Sequence, residues 1–336
     1  MRYLTWGLVA LSFCAWPESG SAKELSPREI YEAASPAVVM VMGHPEGGKK
    51  GSGGTGSIIR PDGYVLTNAH VVVDEQTSRP FPRVSVFLKP ARVTGDSRSD
   101  LSRLVRAKVV AFSQPLDLAL LKLDGASGTL PIVALSGSDR ARIGDRVVAI
   151  GHPEQGGLWT LTTGVISAEV DNFNDVRGKH VFQTETGLNR GNSGGPLLDN
   201  EGHMIAVNTA IARVAADGLP ITSISFSLKS NVALQWLREQ GIATAEAGSA
   251  GGTAPARIPA AAETPATPPV QSEAKAAPAP PLPKAATPAK PAIQPAPDLP
   301  SRARPYNLDQ LVNDRAKAEA DLEGMITEMR GRMKGR

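Results

Sequence analysis

The chain has 336 residues, 41% of them hydrophobic and 4% aromatic, with 36 Lys and Arg against 33 Asp and Glu for a formal net charge of +3. So even a balance disfavours a polyanion binder, and no nucleic-acid partner is expected; the hydrophobic share excludes a wholly disordered chain and one built of many transmembrane helices. Half of the 28 prolines stand between Gly241 and Pro300, which already sets that stretch apart.

Arg2 precedes an uncharged, mostly apolar run from Leu4 to Trp16. That run is too short to span a bilayer as a helix of ~20 residues. Pro17 and the small residues Gly20-Ser21-Ala22 then fit a signal-peptidase site, so residues 1–22 are expected to be a signal peptide and the mature chain an exported one, periplasmic or secreted. The alternative, a lipoprotein motif at Leu11-Ser12-Phe13-Cys14, places bulky Phe13 where a small residue is wanted. Cys14 is the only cysteine and leaves with the signal, so the mature fold has no disulfide and depends on a hydrophobic core.

Residues 23–240 read as one domain. Ser26-Pro27-Arg28-Glu29 is a capping box with Pro at the first helical position. Short β-branched runs follow between Gly, Pro and Asp turns: Ala37 to Met42, Gly56 to Ile59, Tyr64 to Thr67, Val84 to Leu88, Ala107 to Ala111 and Leu118 to Leu123. The second half repeats the pattern at Asp145 to Ile150, Leu161 to Val165, Phe182 to Thr184, Ile205 to Ile211 and Ser223 to Leu228, before a short amphipathic helix at Asn231 to Gln240. Many short strands and few helices predict an all-β fold of barrels. Residues 241–304, rich in Ala, Pro and Thr, are expected to be an extended linker without fixed structure. Residues 305–336 regain helical periodicity at Leu308, Leu311, Val312, Ala318, Leu322, Met325, Ile326 and Met329, and end in four cations, Arg330, Arg332, Lys334 and Arg336. This amphipathic tail could self-associate, bind an envelope partner or lie on an anionic membrane surface, and the sequence does not choose among them.

The chemistry-bearing residues fall in three places. In Gly191-Asn192-Ser193-Gly194-Gly195-Pro196-Leu197, glycines on both sides of Ser193 allow a tight turn that exposes the hydroxyl and aims the amides of Gly191 and Ser193 at one point. Leu66-Thr67-Asn68-Ala69-His70-Val71-Val72 sets His70 at the end of a strand run, and Leu116-Asp117-Leu118-Ala119-Leu120-Leu121 embeds an acid in apolar surroundings, where it needs a partner. Taken singly, these are equally a Gly-rich turn, a structural histidine and a turn acid. Jointly, the order His70, Asp117, Ser193, at spacings of 47 and 76 residues, is that of chymotrypsin-type hydrolases.

The segments resemble the trypsin-like serine proteases of the HtrA (Deg) family over about residues 27–232. The match runs through Gly51-Ser52-Gly53-Gly54-Thr55-Gly56-Ser57-Ile58-Ile59, Gly63 to His70, Asp117 to Lys122, Ile143 to Gly151, Gln183-Thr184-Glu185 and Asn208-Thr209-Ala210-Ile211. The resemblance implies two perpendicular six-stranded antiparallel β-barrels (chymotrypsin-like), with His70 and Asp117 on the first, Ser193 on the second, and an active site in the cleft. Ser193 would be the nucleophile, His70 the base and then acid, and Asp117 the orienting carboxylate, with Gly191 and Ser193 forming the oxyanion hole. No cofactor or metal is called for, and His44, His180 and His203 lack metal spacing. The base of the primary pocket falls at Gly187, which offers no carboxylate for a Lys or Arg side chain. Leu188, Ile211 and Ile224 fall where the family lines that pocket, which favours a small or medium aliphatic P1 residue; their alternative is plain barrel core.

Asn192 stands where digestive proteases carry the Asp that pairs with a newly cut N-terminus, so activation by prodomain removal is disfavoured. The resemblance assigns control of the oxyanion hole instead to the loops at 152–160, 171–180 and 186–191. The last 96 residues hold no PDZ pattern, although family members usually carry PDZ domains. The stretch Val73 to Lys108 is longer than the family needs, and its Arg and Lys residues either contact a partner or, as expected here, solvate a loop; His152, in place of the family's Asn, is expected to be a loop residue rather than a second base. The function expected is an exported serine endopeptidase acting on protein or peptide substrates, namely unfolded or specific envelope proteins. The competing readings are a catalytically silent or latent scaffold and an esterase.

Overall fold

The computed structural model describes residues 24–45, 51–126, 129–154, 156–211 and 224–244, together with Gln310, Leu311, Val312, Asp314 and Lys317. The expected signal peptide and almost all of the expected linker and tail lie outside the described residues.

Helix α1 (Pro27–Ala34) opens the domain. Its capping box is complete: the Ser26 amide donates to Glu29 Oε2 at 2.8 Å and the Glu29 amide donates to Ser26 Oγ at 3.3 Å. Ile30 and Ala34 then face the core.

Strands β1 (Val38–His44), β2 (Ser52–Arg60) and β3 (Tyr64–Thr67) follow, then the one-turn helix α2 (Ala69–Val72), the short pair β4 (Val73–Asp74) and β5 (Arg79–Pro80), and β6 (Arg83–Phe87). Helix α3 (Ser97–Asp100), β7 (Leu104–Ser113) and β8 (Leu118–Leu123) complete the first half. Six of these strands close into an antiparallel barrel in the order β1-β2-β3-β8-β7-β6. The stretch expected to be a solvated loop is therefore built: β4 pairs with β5, and buried Asp100 accepts from the Thr94 and Gly95 amides at 2.8 and 2.9 Å.

The second half carries β9 (Arg146–Gly151), β10 (Thr160–Val170), β11 (Val181–Thr184), β12 (Pro196–Leu198), β13 (Met204–Ile211) and β14 (Ser225–Lys229), closed by helix α4 (Ser230–Glu239). These strands form the second closed antiparallel barrel, β10-β11-β14-β13-β12-β9. The sequence predicted every strand of both barrels except β12.

Trp159 joins the halves. Its buried indole N–H donates to the Val38 carbonyl at 2.8 Å, and the Tyr31 hydroxyl donates to the Trp159 carbonyl at 3.0 Å. One core cluster runs across both barrels, from Val38, Ile58 and Leu120 to Ile150, Val181 and Leu228, which holds the cleft between them in one geometry. From the tail, Gln310, Leu311, Val312, Asp314 and Lys317 are helical. Val312 is 2% exposed in that core cluster, and its Cγ1 lies 2.7 Å from where a Cβ on Gly51 would sit.

Candidate active site

The three residues singled out by motif come from three separate elements. His70 is in α2, directly after β3. Asp117 sits in the turn between β7 and β8, where its amide donates to the Gln114 carbonyl at 3.1 Å. It has a left-handed backbone, φ 58°, which Asp tolerates better than most residues. Asn68 steadies this turn by donating from Nδ2 to the Asp117 carbonyl at 2.7 Å.

The structure brings His70 and Asp117 together. The imidazole Nδ1 is 2.9 and 3.0 Å from the two carboxylate oxygens, and the His70 backbone amide donates to Oδ1 at 3.1 Å. From the second barrel, Thr209 on β13 donates its hydroxyl to Oδ2 at 2.7 Å. Burial opposes the charge on Asp117, but the His70 hydrogen bond and charge, followed by the Thr209 hydroxyl, outweigh it and hold the carboxyl below its ordinary range. A carboxylate on Nδ1 fixes the tautomer with its proton there and leaves Nε2 as the acceptor facing away.

Ser193 arrives from the loop between β11 and β12, and two glycines make its approach possible. Gly194 has φ +85°, and any Cβ there would run into Thr67 Oγ1 and the Thr55 carbonyl and come within 2.8 Å of the Asn68 amide, two residues before His70. Gly54 on β2 has the Ser193 carbonyl 2.8 Å from its missing Cβ and Val71 Cγ2 at 2.6 Å, so Gly54 lets the Ser193 loop and α2 pack on the same strand. The Thr55 amide then donates to the Ser193 carbonyl at 2.8 Å and the Gly194 amide to the Asn208 carbonyl at 2.8 Å. The backbone at Ser193 is thus pinned from both barrels.

The backbone before it is equally held. The Arg190 carbonyl accepts from the Glu154 amide at 2.6 Å, and the Asn192 amide donates to the Asn189 carbonyl at 3.0 Å. Because a trans peptide plane points its N–H opposite to its C=O, the Gly191 amide faces away from Glu154. Asn189 Nδ2 also donates to the Glu154 carbonyl at 3.2 Å, and the Arg190 guanidinium lies 3.6 Å from the Glu154 carboxylate. Two of the three loops expected to govern the hole, 152–160 and 186–191, are therefore in direct contact.

A cavity of about 330 Å³ opens beside the pair, lined by His70, Gln114 and Asp117 from the first barrel and Phe173, Lys179 and Thr209 from the second. Burial pushes the Lys179 ammonium below its ordinary range, with the Asp117 charge acting against that shift.

Of the expected pocket residues, Gly187 is exposed, and Leu188 is half-buried against a cluster that includes Ala141, Val147 and Phe182. Ile224 is half-buried just before β14. Ile211 pairs its backbone with Ser225 at the end of β13, and its side chain lies outside the described residues. Asn192 is buried, with its side-chain oxygen 2.5 Å from where a Cβ on Gly151 would sit.

Sequence reasoning passed over three supporting side chains. Thr209 and Asn68 entered only as letters of longer motifs. His152, expected to be a loop residue, does lie in the loop after β9, but it is wholly buried, packed edge-on to Trp159 with centroids 4.8 Å apart and Nδ1 3.0 Å from Thr55 Oγ1.

Residues 54–207 match the trypsin-like peptidase domain family. A curated protein of Ectopseudomonas mendocina (strain ymp), named a probable periplasmic serine endoprotease DegP-like, is 34% identical over 229 residues, covering 67% of this chain and 43% of its own. One of the same name from Chlamydia pneumoniae is 35% identical over 192 residues, covering 57% of this chain and 35% of its own. The chain thus spans less than half the length of these curated relatives. Among solved structures, the HtrA-type protease AlgW with a tripeptide superposes with a TM-score of 0.52 at 32% identity, covering 64% of each chain.

Proposed function

We propose that this chain, which is similar to the trypsin-like peptidase domain family and to DegP-like and HtrA-type proteases, is an exported, periplasmic serine endopeptidase cutting protein or peptide substrates through an acyl-enzyme. The relatives' names supply the compartment, and the peptide bound to the solved HtrA neighbour supplies the substrate class. The observation that carries the reading is His70 Nδ1 held between both Asp117 oxygens at 2.9 and 3.0 Å, beside the turn that delivers Ser193.

Ser193 Oγ attacks the scissile carbonyl while His70 Nε2 takes its proton. Asp117 stays ionised and stabilises the imidazolium, and its two further donors, the His70 amide and Thr209, keep it so. The oxyanion forms between the amides of Gly191 and Ser193. His70 then protonates the leaving amine, and water repeats the sequence on the ester. At Gly187 no side chain can meet a basic P1 group, and Leu188 and Ile224 present apolar surface, which supports a preference for small or medium aliphatic P1 residues.

The test is digestion of reduced casein by residues 23–336 and by their Ser193→Ala variant, with the cut sites read by mass spectrometry. Cuts after Val, Ala or Ile that vanish in the variant are expected. A folded wild-type chain that leaves casein intact sinks the endopeptidase reading and favours a silent scaffold.

A further inference from the structure

The oxyanion donors are backbone amides, so their aim depends on whatever fixes the peptide planes around Gly191. One plane is fixed by the Glu154 amide at the Arg190 carbonyl. The next carbonyl, that of Gly191, accepts from Thr55 Oγ1 at 2.6 Å, across 136 residues of sequence and from the opposite barrel.

The protons around Thr55 Oγ1 can be counted. Oγ1 is 2.6 Å from the Gly191 carbonyl oxygen, and two oxygens that close require a hydrogen between them, which only the hydroxyl can provide. The hydroxyl has no second proton. Its other two neighbours must therefore donate to it: the His152 backbone amide at 3.2 Å and the His152 ring Nδ1 at 3.0 Å. His152 is then neutral with its proton on Nδ1, and full burial, which pushes the ring's pKa down to about 3, keeps it neutral. Thr55 is itself fully buried, its amide donates to the Ser193 carbonyl, and its carbonyl accepts from the Thr67 hydroxyl at 2.7 Å.

We infer that Thr55, oriented by a neutral His152, is a positioning residue for the oxyanion hole: its single proton holds the Gly191 carbonyl, and that keeps the hole's backbone donors aimed. Thr55 touches no reacting atom and acts through Gly191 and Ser193. The inference rests on the serine-hydrolase reading of Ser193, deepening it by naming what sets the donors.

The experiment uses the mature chain and three variants, Thr55→Val, Thr55→Ser and His152→Leu, with thermal melting to confirm folding. Two rates are read: kcat and KM on a casein-derived peptide, and the rate of phosphonylation by an alkyl fluorophosphonate. In the second, Ser193 Oγ bonds phosphorus, fluoride leaves, the proton passes to His70 and the phosphoryl oxygen occupies the hole, with no peptide subsites needed. Removing one oxyanion donor costs about 100-fold to 1,000-fold, so misaiming it through Thr55→Val is expected to cost about 10-fold to 100-fold in both kcat and phosphonylation, with KM within about twofold. Thr55→Ser, which keeps the proton, should stay within about threefold, and His152→Leu should lose about 3-fold to 10-fold.

A folded Thr55→Val at wild-type rate overturns the inference, as does equal slowing by Thr55→Ser, which would trace the effect to packing. Should Thr55→Val fail to fold, a His152→Leu variant at wild-type rate overturns it alone. A wild-type chain that is phosphonylated yet leaves peptides intact sinks the endopeptidase reading while leaving this inference standing. Reaction with neither reagent overturns both.

Discussion

The two barrels contribute to the site in different ways. The first holds the proposed orienting acid and base on the ends of paired strands: His70 follows β3, Asp117 precedes β8, and β3 and β8 are neighbours in register from Tyr64 with Lys122 to Thr67 with Ala119. The second offers a loop, and the backbone at Ser193 and Gly191 is held both by contacts within that barrel and by Thr55 from across the cleft. The first half is therefore vulnerable through its charges and the second through its geometry.

The largest effect should come where the halves meet at the reacting atoms. Ser193→Ala or His70→Ala is expected to lower kcat by about 10⁶, since the two act as a unit. Asp117→Asn tests the first half by itself. The amide would leave the folded geometry in place but stabilise the wrong imidazole tautomer, and kcat on peptide should fall by about 10⁴ with little change in melting temperature. A fall of less than tenfold would show that Asp117 does not orient His70.

Thr209→Val asks how far the second barrel supports the first. It removes the hydroxyl that meets Asp117 Oδ2 at 2.7 Å. A hydrogen bond to a charged group is worth about 1.5 to 3 kcal/mol, of which Asp117 keeps its other donors, so kcat should drop by about 10-fold with KM unchanged. Loss equal to that of Asp117→Asn would place the threonine at the centre of the pair rather than at its edge.

What the sequence disclosed follows the same division. All six strands of the first barrel stand out as short apolar or β-branched runs between turn residues, and Ser193, His70 and Asp117 are legible because their motifs are local. Strand β12 is not: it has three residues, begins at Pro196, and is a strand only because β9 and β13 pair with it on either side. The pair β4–β5 and the one-turn helices fall below the length at which any period exists. The supporting threonines are hidden for a related reason. Thr55 meets Gly191 across 136 residues and Thr209 meets Asp117 across 92, and a lone hydroxyl leaves no spacing in the chain to announce its partner. His152 lies beside Gly151 and Pro153 like any loop residue, and its burial is a consequence of Trp159 and β2 closing over it.

That buried ring gives the second half an acid sensitivity that can be worked out in sign. Its folded pKa of about 3 lies below the ordinary 6.5 because burial penalises the cation. Between those values the unfolded chain binds a proton that the folded chain does not, so stability rises with pH across this window and is lost as pH falls from about 6.5 toward 3. At pH 5 the loss relative to pH 8 should be about 2 kcal/mol from this residue, at 1.36 kcal/mol per pKa unit. Asp117, held below its ordinary range, adds to the slope only at lower pH, as its carboxylate protonates. Urea unfolding of the wild type and of His152→Leu at pH 8 and pH 5 isolates the ring's share, because every other group cancels in the difference. The variant should lose less stability on acidification, by about 2 kcal/mol. Equal losses in both proteins would mean that the ring is protonated in the fold at pH 5; the added proton would sit on Nε2, leaving the Nδ1 donor to Thr55 in place and putting a charge next to the threonine that holds the Gly191 carbonyl.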